Sequence, residues 1–190
     1  MFKNDILLVD LEMSGLNPRR HEILQLAGVL LDKKTLKEKK HFNVYITPKA
    51  WRKADPKSLE ITGISLNTLK SQGKPLAEAL DDFVKHFGKK VTIANWVGTL
   101  DKAFMEAAFE KTRKPYPFDY HSFDIWVLAA AYAAQHLSLR NKKRHDGFDM
   151  EDLIKSFKMA DEGKRHDALS DCRYAAEILR QLWKRLKFKK

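Results

Sequence analysis

Ile6-Leu7-Leu8-Val9-Asp10-Leu11-Glu12-Met13-Ser14-Gly15-Leu16 is the stretch of this chain that decides its fold. The apolar run at its start predicts a buried β-strand. Because side chains alternate along a strand, Asp10 and Glu12 point to the same face. Two adjacent carboxylates at the end of an apolar strand repel each other and lose hydration, and a divalent cation would neutralise both. The alternative is that the strand has ended and both acids lie in a solvated turn.

Length and composition favour one globular domain over residues 1–190. The chain has 190 residues, of which 44% are hydrophobic, and this is enough to bury a sizeable core. It contains no apolar run of the ~20 residues that span a bilayer and no leader-like N-terminal segment. The single cysteine, Cys172, excludes internal disulfides and cysteine-based zinc sites. These features predict a cytoplasmic protein that is not bound to a membrane.

The formal net charge of +11 indicates a polyanionic partner, and nucleic acid is the first candidate. Basic residues cluster at 33–40, 140–144 and 184–190. The alternative is a basic, well-solvated surface that has no partner.

The order of apolar segments predicts an α/β protein with a mixed sheet and helices on both faces. Strands are predicted at 5–11, 22–32, 41–47 and 91–94, with a short strand within 116–122. Helices are predicted at 75–86, 100–111, 124–135, 149–157 and 168–186, and an irregular connection lies between Pro48 and Pro56.

Two further acids begin the inward-facing stripes of predicted helices. Apolar residues follow Asp171 at helical spacing, and Asp167 is better placed than Asp171 to cap this helix. Asp101 begins a similar stripe that continues through Phe104 and Met105. The alternatives are a salt bridge to a basic side chain for Asp171 and a favourable helix-dipole interaction for Asp101.

His166 is predicted to lie on the loop that enters the last helix. It is five residues before Asp171, about 140° away on an ideal helix, so the two cannot share one face if both are helical. Its position beside a suspected metal ligand makes it the preferred functional histidine. His145 is the alternative, but it has no comparable acid next to it on an apolar stripe.

Three segments together resemble the DEDDh (DnaQ-like) family of 3′–5′ exonucleases, which have the ribonuclease H-like fold. They are residues 9–18 (VDLEMSGLNP), residues 60–64 (EITGI) and residues 166–171 (HDALSD). They occur in the family order and extend over nearly the whole chain. The second family motif, H-N-x-x-F-D-x-x-F, is altered here: Asp101 and Phe104 match, but Val97 and Leu100 replace asparagine and phenylalanine, and Asn95 is two residues early.

The resemblance implies a three-layer α/β/α fold with a mixed five-stranded central sheet. It also implies a two-metal 3′–5′ exonuclease that releases 5′-mononucleotides from single-stranded DNA or RNA. Asp10, Glu12, Asp101 and Asp171 would hold two Mg²⁺ or Mn²⁺ ions, with Asp10 bridging them, and His166 would be the general base. Met13 and Leu16 would contact the terminal base, and Ser14 or the backbone beside it would reach the sugar.

The sequence does not choose between a DNA nuclease used in proofreading or repair and an RNA-trimming enzyme. Two non-enzymatic or conditional alternatives also remain. The altered second motif allows a non-catalytic nucleic-acid-binding module. Trp51 and the basic C-terminal segment could instead contact a polymerase or repair partner in a subunit that is active only in that complex.

Overall fold

A computed structural model of the protein describes residues 2–136 and 148–186. Its strands are β1 (Asp5–Met13), β2 (Ile23–Leu31), β3 (Glu38–Tyr45), β4 (Val91–Asn95) and β5 (Ser122–Asp124). Its helices are α1 (Pro56–Thr62), α2 (Leu66–Gln72), α3 (Leu76–Phe87), α4 (Gly98–Lys111), α5 (Ile125–His136), α6 (Met150–Phe157) and α7 (Ala168–Arg185). None of the helices in these two ranges is long and apolar enough to cross a bilayer.

The five strands form one mixed sheet in the order β3-β2-β1-β4-β5, which confirms the predicted fold class. β1, β2 and β3 are paired antiparallel, and β1, β4 and β5 are paired parallel. In the parallel part, the carboxyl ends of the three strands therefore lie at one edge of the sheet.

Helices cover both faces of the sheet, so the core has two halves. Ile6 and Leu8 of β1 pack with α5, α6 and α7, whereas Leu7 and Val9 pack with α3 and α4. This alternation is the consequence of the two-residue period of a strand. Asp10 and Glu12 follow Ile6 and Leu8 at the same two-residue spacing. Their side chains therefore point to the face that α7 covers.

Several element boundaries differ from the sequence prediction. β3 covers 38–45 and not 41–47, and β5 covers 122–124, at the end of the predicted 116–122 range. α1 and α2 were not predicted, although each has a recognisable N-cap: the side chains of Asp55 and Ser65 accept hydrogen bonds from Ser58 N and Thr68 N. Short helices lack the long apolar period on which the prediction depended.

Gly28 is expected to be essential for packing between β2 and α3. A Cβ atom at this position would lie 2.9 Å from Cε2 of Phe87 and 3.0 Å from Cε2 of Phe83. We expect Gly28→Val to lower the free energy of unfolding by about 1–3 kcal/mol, because a well-packed core does not absorb extra methyl groups. Urea unfolding measures this change, and Gly28→Ala should lose less; equal midpoints for wild type and Gly28→Val would contradict the packing.

Candidate active site

The predicted site residues meet at the sheet edge where β1, β4 and β5 end. β1 pairs with β4 as far as Leu8 and Ala94, so Asp10 lies just beyond the paired segment. α4 begins shortly after β4, and the start of α7 packs across β1 and β2. This edge therefore receives side chains from three parts of the chain that are far apart in sequence: β1, the β4–α4 segment and the start of α7.

Asp10 and Glu12 lie at the end of β1 on the face toward α7. In the register of the antiparallel pair, Asp10 is opposite Ala27 and Glu12 is opposite Gln25. Glu12 is 7% exposed, and Asp10 is half-buried. Both residues are within the strand, which rules out the solvated-turn alternative.

Asp171 and His166 enter the site from the start of α7. Asp167 caps this helix by accepting a hydrogen bond from Ser170 N, as predicted, and leaves Asp171 on the buried stripe at 7% exposure. His166 precedes the cap and has an exposed side chain. One possible ligand atom from each of Glu12, His166 and Asp171 lies within 4.8 Å of the other two. The competing candidate, His145, lies outside the described residues.

Asp101 faces the site from the first turn of α4 and is 8% exposed. The Asn95 amide nitrogen, at the end of β4, donates to Val9 O at 2.7 Å and to Asp101 Oδ2 at 3.5 Å. Asp124 accepts from Gly98 N at 3.1 Å and so fixes the beginning of α4. Although Asn95 is displaced from the family position in sequence, it links β1 to Asp101 in the fold.

Burial raises the pKa of all four carboxyl groups, and the charges of neighbouring acids add to this for Asp10 and Glu12. Burial, and then the charges of Asp101, Asp171 and Glu12, raise the pKa of Asp10 well above its ordinary value. Burial and the neighbouring acids raise the pKa of Glu12 to about 8, and burial raises the pKa of Asp101 to about 7. Burial also raises the pKa of Asp171, against the opposing effect of Arg165. The cluster thus holds more negative charge than the surrounding protein stabilises.

Arg165 is the basic partner that the salt-bridge alternative for Asp171 required. One of its guanidinium nitrogens bonds to Asp171 Oδ1, and its guanidinium carbon lies 5.8 Å from the centre of the Tyr174 ring. Its charge lowers the pKa of Asp10, Glu12 and Asp171. Since these pKa values remain raised, the salt bridge does not balance the cluster.

The donor set fits a divalent metal ion. Four carboxylates offer the oxygen ligands that Mg²⁺ and Mn²⁺ prefer, and the uncompensated charge is the chemical reason to bind a cation. Asp10, Glu12, Asp101 and Asp171 are the residues that could hold it, with His166 adjacent. The described residues therefore contain a candidate acidic metal site, as the sequence predicted.

Met13, Ser14 and Leu16 differ in what they offer a substrate. Leu16 is 71% exposed beside the site, and Met13 is half-buried. Ser14 is buried, and its hydroxyl accepts a hydrogen bond from Glu22 N at 2.9 Å. That bond anchors the turn after β1, whereas a role of these three residues in substrate binding stays a prediction.

The segment Glu60–Ile64 also reaches the site. Thr62, Gly63 and Ile64 line a cavity of about 140 Å³ together with His166 and Asp167. Gly63 has a φ of +66° and ends α1, a conformation that favours glycine. The turn thereby places this family-like segment next to the histidine.

Three residues near the acids were missed by the sequence analysis as site residues: Gln25, Asn95 and Arg165. Gln25 is the one polar side chain of β2, and Asn95 ends the mostly apolar strand β4; the two are 1% and 2% exposed. A buried polar residue in an apolar strand requires a hydrogen-bond partner. This pattern was the sequence signal that could have identified Gln25 and Asn95. Arg165 had no comparable sequence pattern.

Metal binding is expected to change how stability depends on pH. A carboxyl whose pKa is raised on folding favours the folded state while it is protonated, so the metal-free protein should lose stability from about pH 5 to pH 8. Bound Mn²⁺ needs the ionised carboxylates, and its stabilising effect should therefore grow over the same range. Thermal melts in EDTA and in Mn²⁺ at several pH values measure both trends; a Mn²⁺-induced shift independent of pH would contradict this account.

Comparison with known proteins is consistent with the geometry. A family model described as Exonuclease (RNase_T) matches residues 7–179. The 3′-5′ DNA exonuclease Cap18 of Escherichia coli is 25% identical over 184 residues, which are 94% of this chain and 91% of that protein.

Solved structures are similar in fold. A zinc-bound complex of E. coli exonuclease I with single-stranded DNA gives a TM-score of 0.81 at 18% identity over 97% of this chain. Exonuclease I of Methylocaldum szegediense gives 0.78 at 20% identity over 96%. Cell-death related nuclease 4 gives 0.75 at 16% identity over 96%. This chain spans 41% of each of these two exonuclease I chains and 64% of the last chain.

Proposed function

The chain belongs to the Exonuclease family, and from this premise we propose that residues 1–190 act as a 3′–5′ exonuclease domain on single-stranded DNA. The observation that carries the proposal is the convergence of four carboxyl groups of raised pKa and one exposed histidine at a single sheet edge. When ionised, such a cluster lowers the stability of the metal-free protein. Metal-dependent phosphodiester hydrolysis requires a cluster of this kind.

Asp10, Glu12, Asp101 and Asp171 would hold the divalent cations, two in the arrangement we propose. When bound, such ions stabilise the attacking and leaving oxygens of an in-line phosphoryl displacement. A ring nitrogen of His166 takes the proton from the attacking water as its oxygen forms the new bond to phosphorus. The bond from phosphorus to the 3′ oxygen of the preceding nucleotide breaks, and a 5′-mononucleotide leaves.

The exposed Leu16 and the half-buried Met13 would contact the terminal base from the turn after β1. Apolar side chains accept any base, which suits an enzyme that must remove every nucleotide in turn. The positive charge of the chain would attract the phosphate backbone without reading its sequence.

We favour DNA over RNA as the substrate because of the relative that aligns along nearly the whole chain. It is named a 3′-5′ DNA exonuclease, and the exonuclease I complex was formed with single-stranded DNA. Both names describe those other proteins. The experiment therefore compares DNA and RNA directly as substrates of this chain.

The test is a gel time course with 5′-labelled single-stranded DNA and RNA of matched sequence, in Mg²⁺, in Mn²⁺ and in EDTA. We expect a metal-dependent ladder that shortens from the 3′ end and appears faster on DNA. A faster ladder on RNA would reassign the substrate. Binding without shortening in either metal would overturn the catalytic proposal in favour of a binding module or a subunit that needs a partner.

A further inference from the structure

Gln25 is a buried polar residue in an apolar strand and has no part in the chemistry proposed above. β2 has the sequence ILQLAGVLL, and Gln25 is its one polar side chain. The residue is 1% exposed and lies opposite Glu12 in the strand register. Gln25 therefore lies on the face of the sheet that α7 covers. The other β2 residues on this face, Ala27, Val29 and Leu31, are apolar.

The Gln25 side chain joins three elements through hydrogen bonds. Its amide nitrogen donates to Asp167 Oδ2 at 2.8 Å and to Asn43 Oδ1 at 3.0 Å. Its carbonyl oxygen accepts from Ala168 N at 3.3 Å. Asp167 uses its other oxygen to cap α7 through Ser170. The first turn of α7 is thus attached to β2 near its start and, through Asn43, to the edge strand β3.

His166 immediately precedes this attachment and has an unusual backbone conformation. Its φ is +58°, in the left-handed region that non-glycine residues rarely adopt. Such a conformation persists only where the surrounding structure holds it. The backbone nitrogen of His166 donates to Asp171 Oδ2 at 3.3 Å. The next two residues are bound by Gln25. In the part of the chain that the structure describes, the exposed His166 side chain makes no hydrogen bond or ion pair of its own.

We propose that Gln25 is a positioning residue that fixes the start of α7 and thereby aims His166 at the reacting water. The inference rests on the proposed function, since it assigns His166 a proton to accept. It differs from a role in folding alone because Gln25 is bonded to the two residues that follow His166, whereas within the described residues it forms no hydrogen bond to any of the four carboxylates.

Kinetics of Gln25→Leu measure this role. Leucine fills a similar volume, but it removes both donors and the acceptor. We expect kcat to fall about 10- to 100-fold, as when partners that orient a catalytic group are removed, with little change in KM. Val29→Ala is the matched control, because it removes core contacts on the same strand and face and should lower Tm without lowering kcat. A normal kcat for Gln25→Leu at a temperature where it is folded would overturn the proposal.

A rescue experiment tests the hydrogen bond itself. Gln25→Glu alone places a carboxylate against Asp167 and should lower kcat as Gln25→Leu does. Adding Asp167→Asn interchanges donor and acceptor, because asparagine caps helices well and its amide can donate to the introduced carboxylate. We expect the double variant to recover at least about tenfold in kcat over Gln25→Glu. No recovery, with the double variant folded, would contradict the pairing.

A measurement without substrate separates this inference from the proposed function. In Gln25→Leu, backbone hydrogen exchange at residues 166–170 should accelerate relative to wild type, while exchange in α4 stays unchanged. The Mn²⁺-induced rise in Tm should be retained. If wild type shows no exonuclease activity, the proposed function fails; if wild type is active and both exchange and kcat of the variant are normal, the assignment to Gln25 fails.

Discussion

Asp10→Asn is expected to lower the exonuclease rate about a thousandfold or more while leaving the metal-free protein at least as stable as wild type. Metal ions stabilise the transition state of phosphoryl transfer by several kcal/mol, and about 4 kcal/mol corresponds to a thousandfold in rate. Asp10 interacts with the charges of Asp101, Asp171 and Glu12, so its replacement weakens the hold of the whole cluster on a cation.

The stability part of this expectation follows from the same charges. Asparagine has nearly the shape of aspartate and carries no charge, so the substitution relieves repulsion among the acids. Gel assays and thermal melts in EDTA measure the two effects. Asp5→Asn is the matched control: it removes a carboxylate at the opposite end of the same strand, where Asp5 pairs with Lys39 at 2.8 Å, and should leave the rate unchanged. Wild-type activity in Asp10→Asn would exclude the site.

His166→Ala is expected to lower kcat about 10²- to 10⁴-fold, the usual contribution of a general acid or base. Because the four carboxylates remain, the Mn²⁺-induced rise in Tm should be largely retained. This pair of results distinguishes a proton acceptor from a ligand, since His166 lies close enough to Glu12 and Asp171 to coordinate a metal. Equal losses of kcat and of metal-induced stabilisation would assign His166 as a ligand.

His136→Ala provides the control for the histidine experiment. His136 is exposed at the end of α5 and contacts the ring of Tyr132. Its loss removes a histidine of similar exposure from a position outside the acidic cluster. The variant should retain wild-type kcat and the wild-type response to Mn²⁺.

The sequence predicted the centre of the site because the constraint there is local. Two acids at alternate positions of an apolar strand must share a face, and an acid at the head of a helical stripe must point inward. Asp10, Glu12 and Asp171 obey these rules in the structure. The helix cap at Asp167 and the exposed position of His166 follow from spacing in the same way.

The supporting residues could not be predicted because their partners are distant in sequence. Gln25 and Asp167 are 142 positions apart, and Asn95 meets Val9 across 86 positions. Spacing carries no information about such pairs. Asn95 shows how far sequence spacing can be used. It lies two residues before the position that the family motif gives to asparagine, yet the fold brings its amide to Asp101.

The wide separation of the acids along the chain has a consequence for synthesis on the ribosome. β1 supplies Asp10 and Glu12 at the start, α4 supplies Asp101 midway, and α7 supplies Asp171 near the end. A nascent chain grows from its N-terminus and folds as segments emerge. In the mechanism proposed above, hydrolysis consequently begins only when α7 docks, because a product of premature termination before α7 would lack Asp171.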